Sequence, residues 1–393
     1  PESVAWLAED GDLEPRLPDA LEAEMDATLR RTDDVAKAVT SVRYLRRREL
    51  ARTAISDLVL HSVSDDTPAI SYAADAALRG ALRIAVADVC AEQGLDECPS
   101  LQLVVAMGRL GGHELGYSSD ADVMFVHDPL PGVDPVVAQN FSLAVAQRIS
   151  AYLGQTGSEP SLEVDAALRP EGRNGPLTRS FAAYEEYYSR WSAMWERQAL
   201  LRARPVAGDT GLGERFIALI DPVRYAPGGF DEAQTRELRR IKARVESERL
   251  PRGVPATRHL KLGRGGLADV EWTVQYLQLL HAHEVPGLRT PRTLEALAAA
   301  HEAGLLSASD VELLSRAWRL AVRVRDAIVL ATGRTTGAKV DVLPSERGEL
   351  AAIAQLLGYP PASGARLEED YLRAARRARA VVERVFFGEA GSA

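Results

Sequence analysis

The chain has 393 residues, 46% of them hydrophobic, and a formal net charge of −9, which is enough for about two or three domains with sizeable cores. The acidic balance excludes the basic footprint that neutralises phosphates along a duplex, so bulk nucleic acid is not an expected partner. No apolar run is long enough to span a bilayer, and Pro1-Glu2-Ser3-Val4-Ala5-Trp6 lacks the basic-then-apolar layout of a secretion signal, so a cytoplasmic location with no membrane partner is expected. Because residue 1 is proline rather than methionine, the numbering is expected to begin inside a longer chain.

Apolar positions at helical spacing among charged ones, as in Ala20-Leu21-Glu22-Ala23-Glu24-Met25, predict a helical region over residues 1–65. Ser71 to Val89 reads as an Ala-rich amphipathic helix. Gly94 and Pro99 then punctuate before Leu101-Gln102-Leu103-Val104-Val105-Ala106-Met107, an apolar run of strand length. A Gly-rich loop follows, then a second strand over Val123 to His127, a helix over Pro135 to Leu153 and a third strand over Leu162 to Leu168. Strand, loop, strand, helix, strand predicts a mixed-sheet unit. From Phe181 onward only helical periodicity is legible, interrupted at Pro227-Gly228-Gly229, Pro251-Arg252-Gly253, Pro286-Gly287 and Pro360-Pro361. The best helical segments are Glu232 to Glu248, Leu267 to His281, Ser309 to Ala331 and Glu368 to Phe387, with stripes such as Leu267, Val270, Val274 and Leu277 reading as core.

Chemistry concentrates between the first two strands. Residues two apart on a strand point to one face, ~6.6 Å apart along the chain, so Asp120 and Asp122 of Ser119-Asp120-Ala121-Asp122-Val123 aim both carboxylates at one spot. Two like charges ~4 Å apart repel by about 4 kcal/mol at an effective dielectric of about 20. A divalent cation or a shared proton relieves that repulsion, and hard oxygen ligands suit Mg²⁺ or Mn²⁺. Asp165, isolated in an apolar strand, offers a third carboxylate. Beside the pair it completes a cluster for two ions and supplies the general base. Gly111 and Gly112, ahead of the helix-sized segment His113 to Tyr117, let backbone amides approach a triphosphate. Taken singly, Asp-x-Asp also fits a strand end and Gly-Gly a turn. The order of the features is what points to a site.

At these residues the chain closely resembles the glutamine synthetase adenylyltransferase family, a branch of the polymerase-beta nucleotidyltransferase superfamily. Leu110-Gly111-Gly112 and the acidic motif are similar to the superfamily pattern. Val164-Asp165-Ala166-Ala167-Leu168-Arg169-Pro170-Glu171-Gly172, Trp195-Glu196-Arg197-Gln198-Ala199-Leu200-Leu201-Arg202-Ala203-Arg204 and Lys261-Leu262-Gly263-Arg264-Gly265-Gly266-Leu267-Ala268-Asp269-Val270-Glu271-Trp272 are similar to stretches of the family. The resemblance implies an α+β fold, with a small mixed-sheet polymerase-beta-type nucleotidyltransferase domain over 66–210, helices before it over 1–65 and an all-helical domain after it over 211–393. It implies transfer of AMP from ATP to a tyrosine hydroxyl of glutamine synthetase, with release of pyrophosphate, to down-regulate nitrogen assimilation. Two Mg²⁺ (or Mn²⁺) ions on Asp120, Asp122 and Asp165, nucleotide contacts from Gly111, Gly112, Ser119, Arg169, Lys261 and Arg264, and a PII signalling protein as regulator are implied with it. Phosphorolytic removal of AMP and UMP transfer to a PII protein are the alternatives. The opening segment and the closing Val381 to Phe387 resemble the borders of the adenylylating half of full-length members, while Asn174-Gly175-Pro176-Leu177 is similar to the AMP-removing half as well.

Other residues have plainer readings. Arg169, Arg202 and Arg204 could fork a phosphate, but only four of 47 basic residues are lysine, and arginines so abundant read singly as structural ion pairs. Lys261 and Arg264 precede a helix N-terminus that favours anions, and the same loop also fits a tight domain-joining turn. Cys90 and Cys98 match neither a redox nor a zinc spacing and read as reduced thiols. His127-Asp128 reads as a turn closing a strand, His281 and His283 as a helix end, and Trp191 with Trp195 as core packing on one helix.

Overall fold

The computed structural model describes residues 14–59 and 68–388; the opening Pro1 to Trp6, the boundary at 65 and the closing residues 389–393 lie outside them. The described residues form two compact units. The first takes those up to Ser56, Pro68–Leu115 and Ser119–Arg224, and the second takes the rest, chiefly from Tyr225 on. Among the described residues no helix is long and apolar enough to cross a membrane.

In the first unit, helices α1 (Pro18–Leu29), α2 (Val35–Val59) and α3 (Ala69–Gln93) precede a mixed sheet in the chain. Gly94, left-handed at φ 63°, stops α3 and turns the chain into β1 (Ser100–Ala106). A four-residue helix, α4 (Gly108–Gly111), leads toward β2 (Ala121–Pro129). Helix α5 (Pro135–Gly154) follows, with Pro135 in its first turn and Asp134 capping the Val136 amide. Then come β3 (Val164–Asp165), β4 (Thr178–Ser180), α6 (Phe181–Arg190), α7 (Met194–Leu200), β5 (Arg204–Gly208) and α8 (Thr210–Arg224). The strand order is β3-β2-β1-β5, with β4 also pairing β2. β1 runs antiparallel to β2 and β5, whereas β3 and β4 run parallel to β2. Leu103, Val105, Met124 and Val126 share one core with Tyr184 and Phe216. Val104, Val123 and Phe125 on the opposite face are buried too. Burial on both faces is why these two strands read as continuous apolar runs.

Several expected boundaries move. His127 and Asp128 are not a turn, because β2 runs through them to Pro129. His127 pairs with Gln102 of β1 and Ser180 of β4, its Nδ1 lies 3.2 Å from Thr178 Oγ1, and burial pushes its pKa down to about 4. The third strand shrinks from Leu162–Leu168 to two residues, since the Asp165 side chain accepts the Ala167 amide at 2.7 Å and bends the chain into a turn. The helix expected over His113 to Tyr117 lies instead at Gly108–Gly111, and His113 is left-handed at φ 55°. β5 lies beyond Phe181, where no strand was expected; Pro205 disguised it, and an edge strand tolerates proline. Trp191 follows α6 while Trp195 belongs to α7, and Trp191 is 69% exposed rather than core.

The second unit is helical: α9 (Glu232–Arg249), α10 (Leu267–His281), α11 (Thr293–Glu302), α12 (Ala308–Thr332), α13 (Arg347–Leu356) and α14 (Gly364–Val382). Its centre holds charge. Asp269, 1% exposed in the first turn of α10, accepts from Lys242 Nζ at 2.6 Å, the Gly265 amide at 2.7 Å and Arg379 at 3.0 Å. Burial works to raise its pKa, yet Lys242 and Arg379 hold it below the ordinary carboxylate range. Its stabilising contribution is therefore complete above that range and fades only as pH falls through the lowered value. Asp269→Asn removes the anion from buried Lys242 and half-buried Arg379 and is expected to cost about 3–5 kcal/mol of unfolding free energy. Urea denaturation checks this, and an unchanged midpoint would contradict it.

Candidate functional site

The mixed pairing of the sheet decides where the acidic residues meet. β2 and β3 are parallel, with Ala121 opposite Val164 and Asp122 opposite Asp165. Paired residues on neighbouring strands lie ~4.8 Å apart and project to one face, so Asp122 and Asp165 are side by side. Asp120, exposed, stands two residues ahead at the mouth of β2. Hydrogen bonds tie this corner down: the Met107 amide donates to Asp122 O at 2.8 Å and the Ala121 amide to Glu163 O at 2.8 Å. One oxygen of Asp165 is engaged by the Ala167 amide, and the other lies 3.5 Å from Arg173, whose side chain is 80% exposed.

Gly108 is a residue that sequence reasoning passed over. Its φ is +51°, and a Cβ there would fall 2.3 Å from Asp122 Oδ2, so only glycine lets the chain run against that carboxylate. Its position one residue past an apolar strand was the available signal. Gly111 has a different reason to be glycine, since a Cβ would fall 1.8 Å from Arg202 O. The Gly111 and Gly112 amides donate to Met107 O at 2.7 Å and Gly108 O at 3.2 Å, so these expected phosphate donors close the short helix α4. Ser119 sits half-buried beside Asp120.

The arginines mostly build the frame. Arg169 donates to the carbonyls of Ala166, Arg173 and Gly175, which makes it the staple of the loop between β3 and β4 rather than a fork open to phosphate. Arg202 forms a buried ion pair with Glu114. Arg204 pairs with Asp75 at 2.9 Å and also donates to Leu110 O and Gly111 O. Burial pushes the Asp75 carboxyl above its ordinary range, against the pull of Arg204. Lys261 and Arg264 belong to the second unit and are exposed on the loop before α10. The anion favoured by that helix N-terminus is Asp269 of the same helix.

The donor set fits a hard divalent cation in its chemistry and register. Among the described residues no three His, Cys, Asp or Glu side chains already converge on a metal position. Mg²⁺ asks for less than that, being held as a rule by one or two carboxylates together with water and substrate phosphate.

The mixed sheet and the helices around it define an α+β protein with a corner of carboxylates at a strand mouth. The family model described as glutamate-ammonia ligase adenylyltransferase matches residues 2–218, and one described as GlnD PII-uridylyltransferase matches residues 235–386. The chain belongs to the glutamate-ammonia ligase adenylyltransferase family. It is 49% identical to the bifunctional glutamine synthetase adenylyltransferase/adenylyl-removing enzyme of Streptomyces avermitilis, over 99% of this chain and 40% of that protein. The same-named proteins of Nocardia farcinica and Mycobacterium tuberculosis are 51% and 48% identical, over 91% and 96% of this chain and 35% and 38% of theirs. The chain thus spans about two fifths of the length of these relatives. Gly108→Ala is expected to cost about 1–3 kcal/mol and to turn the Asp122 carboxylate away. Chemical denaturation and a crystal structure of the variant check this, and an unmoved carboxylate at full stability would contradict it.

Proposed function

We propose that this chain transfers AMP from ATP to a tyrosine hydroxyl of glutamine synthetase and releases pyrophosphate, as the adenylylating part of a longer enzyme. The observation that carries the reading is the register of Asp122 against Asp165, with Asp120 two residues ahead, inside the segment that matches the adenylyltransferase model. That match covers the acidic corner. The PII-uridylyltransferase model matches only residues of the helical part, which favours AMP transfer over UMP transfer and supports a PII-type protein as a regulator acting through that part.

Asp120, Asp122 and Asp165 would hold the divalent cations, two Mg²⁺ or Mn²⁺, that neutralise charge developing on the phosphates. The chain's own contribution is positioning. Asp165 has one oxygen occupied by the Ala167 amide, and the other is the one that takes the tyrosine proton as the tyrosine oxygen bonds to the α-phosphorus and the bond from that phosphorus to the bridging oxygen breaks, releasing pyrophosphate. Arg173, exposed and close to that oxygen, offers a cation beside the carboxylate to an incoming nucleotide. Arg169 keeps the loop carrying Arg173 in shape. Ser119 stands beside the acidic pair, and Gly111 and Gly112 shape the turn that leads to it. Lys261 and Arg264, exposed in the helical unit, supply positive charge to the acceptor protein.

Asp165→Asn is expected to keep ATP affinity within a few fold, and EDTA is expected to abolish that affinity in both proteins. AMP incorporation into glutamine synthetase is expected to be lost, because a group that serves the attacking oxygen matters little to phosphates already held. Calorimetry with ATP beside incorporation of labelled ATP checks this. Normal incorporation would remove Asp165 from the site, and metal-independent ATP affinity would contradict the cation-binding role.

A further inference from the structure

The chain has two cysteines, eight positions apart, and the fold brings their sulfurs to 3.4 Å. Both partners are anchored. Cys90 lies in the last turn of α3, where the Leu95 amide donates to its carbonyl at 2.9 Å and left-handed Gly94 reverses the chain. Cys98 is fixed from the other side, since the Leu130 amide donates to Pro99 O at 3.0 Å and Ser100 opens β1. The sulfurs therefore face each other because a helix stop and a strand start are both set by the core. Neither cysteine is fully buried, and both border a groove of about 1550 Å³ lined by α1, α3, β1, β5 and α8, through which a small oxidant reaches them.

We propose that Cys90 and Cys98 are a reversible oxidation site that takes a peroxide or a low-molecular-weight disulfide as oxidant. With peroxide, one thiol attacks an oxygen and becomes a sulfenic acid as the O–O bond breaks and the first water leaves. The second thiol then attacks that sulfur, the S–O bond breaks, the S–S bond forms and a second water leaves. Two electrons pass from the two thiols to one peroxide. The sulfurs must approach by a little over 1 Å to reach the ~2.05 Å of a disulfide. Side-chain rotation at Cys98, between α3 and β1, supplies that movement. Burial, with Cys98 alongside, pushes the Cys90 thiol up to about 11, so in the reduced pair Cys90 rests as the protonated thiol. In a reducing compartment such a bond forms transiently and senses oxidant. Once formed, it ties the end of α3 to the entry of β1.

Thiol counting tests this without ambiguity, because the chain has no other cysteine. The reduced protein is expected to react with two maleimides per chain. After one equivalent of hydrogen peroxide, or excess oxidised glutathione, it is expected to react with none. Its mass falls by two hydrogens, it remains monomeric on a non-reducing gel, and dithiothreitol restores both thiols. The oxidised form melts at a higher temperature than the reduced one. Cys90→Ser and Cys98→Ser each end as a mixed disulfide or an over-oxidised thiol, with no two-hydrogen loss. Independent oxidation of the two thiols in the wild type, disulfides formed only between chains, or closure seen only in denaturant would each overturn the proposal.

Discussion

The parallel pairing of β2 with β3 is the constraint on which the site depends. Two residues of β3 suffice for it: Ala121 opposite Val164 sets the register, and Asp122 opposite Asp165 follows from it. A slip of one residue would turn Asp165 to the other face. The register is held by the Ala121 amide on Glu163 O and by the Asx turn of Asp165, which ends the strand at the residue that has to face Asp122. The carboxylate proposed to act on the substrate thus also shapes the loop carrying Arg173.

Around this corner, buried charge fixes backbone. Arg204 with Asp75 and Arg202 with Glu114 hold the carbonyl-rich turn between Leu110 and Glu114, and Gly108 passes close against Asp122 inside that frame. The Arg204–Asp75 pair is partnered through further hydrogen bonds to Leu110 O and Gly111 O, which is the condition under which buried charges are tolerated. In the second unit Asp269 plays the same part toward Lys242 and Arg379, holding the Gly265 loop onto α10. Of the basic residues that sequence offered as phosphate ligands, Arg169, Arg202 and Arg204 thus brace the fold, while Lys261 and Arg264 remain exposed.

Much of this was legible in the sequence because the signals were periodic or ordered. Helices such as α5 and α10 follow from spacing and from their Asp134-Pro135 and Gly266 starts, and β1 and β2 from apolar runs. The acidic pair and the later Asp165 were legible from their order along the chain. The rest was not, for physical reasons. Parallel register is a long-range property that leaves no mark on a two-residue strand. The edge strand β5 carries a proline, and Gly108 looks like any strand-terminating glycine until Asp122 is placed against it. Cys90 and Cys98 meet only because a left-handed Gly94 folds the chain back, which their spacing does not encode.

The carboxylates at the mouth of β2 are proposed to serve AMP transfer rather than the fold. The most direct measurement is incorporation of labelled AMP from ATP into glutamine synthetase by Asp122→Asn, with unfolding of the same variant followed in parallel. A rate loss on the order of 10³, corresponding to several kcal/mol of transition-state stabilisation, is expected at near-normal stability. A variant that keeps more than about a tenth of the wild-type rate, a loss of under ~1.4 kcal/mol, would contradict it.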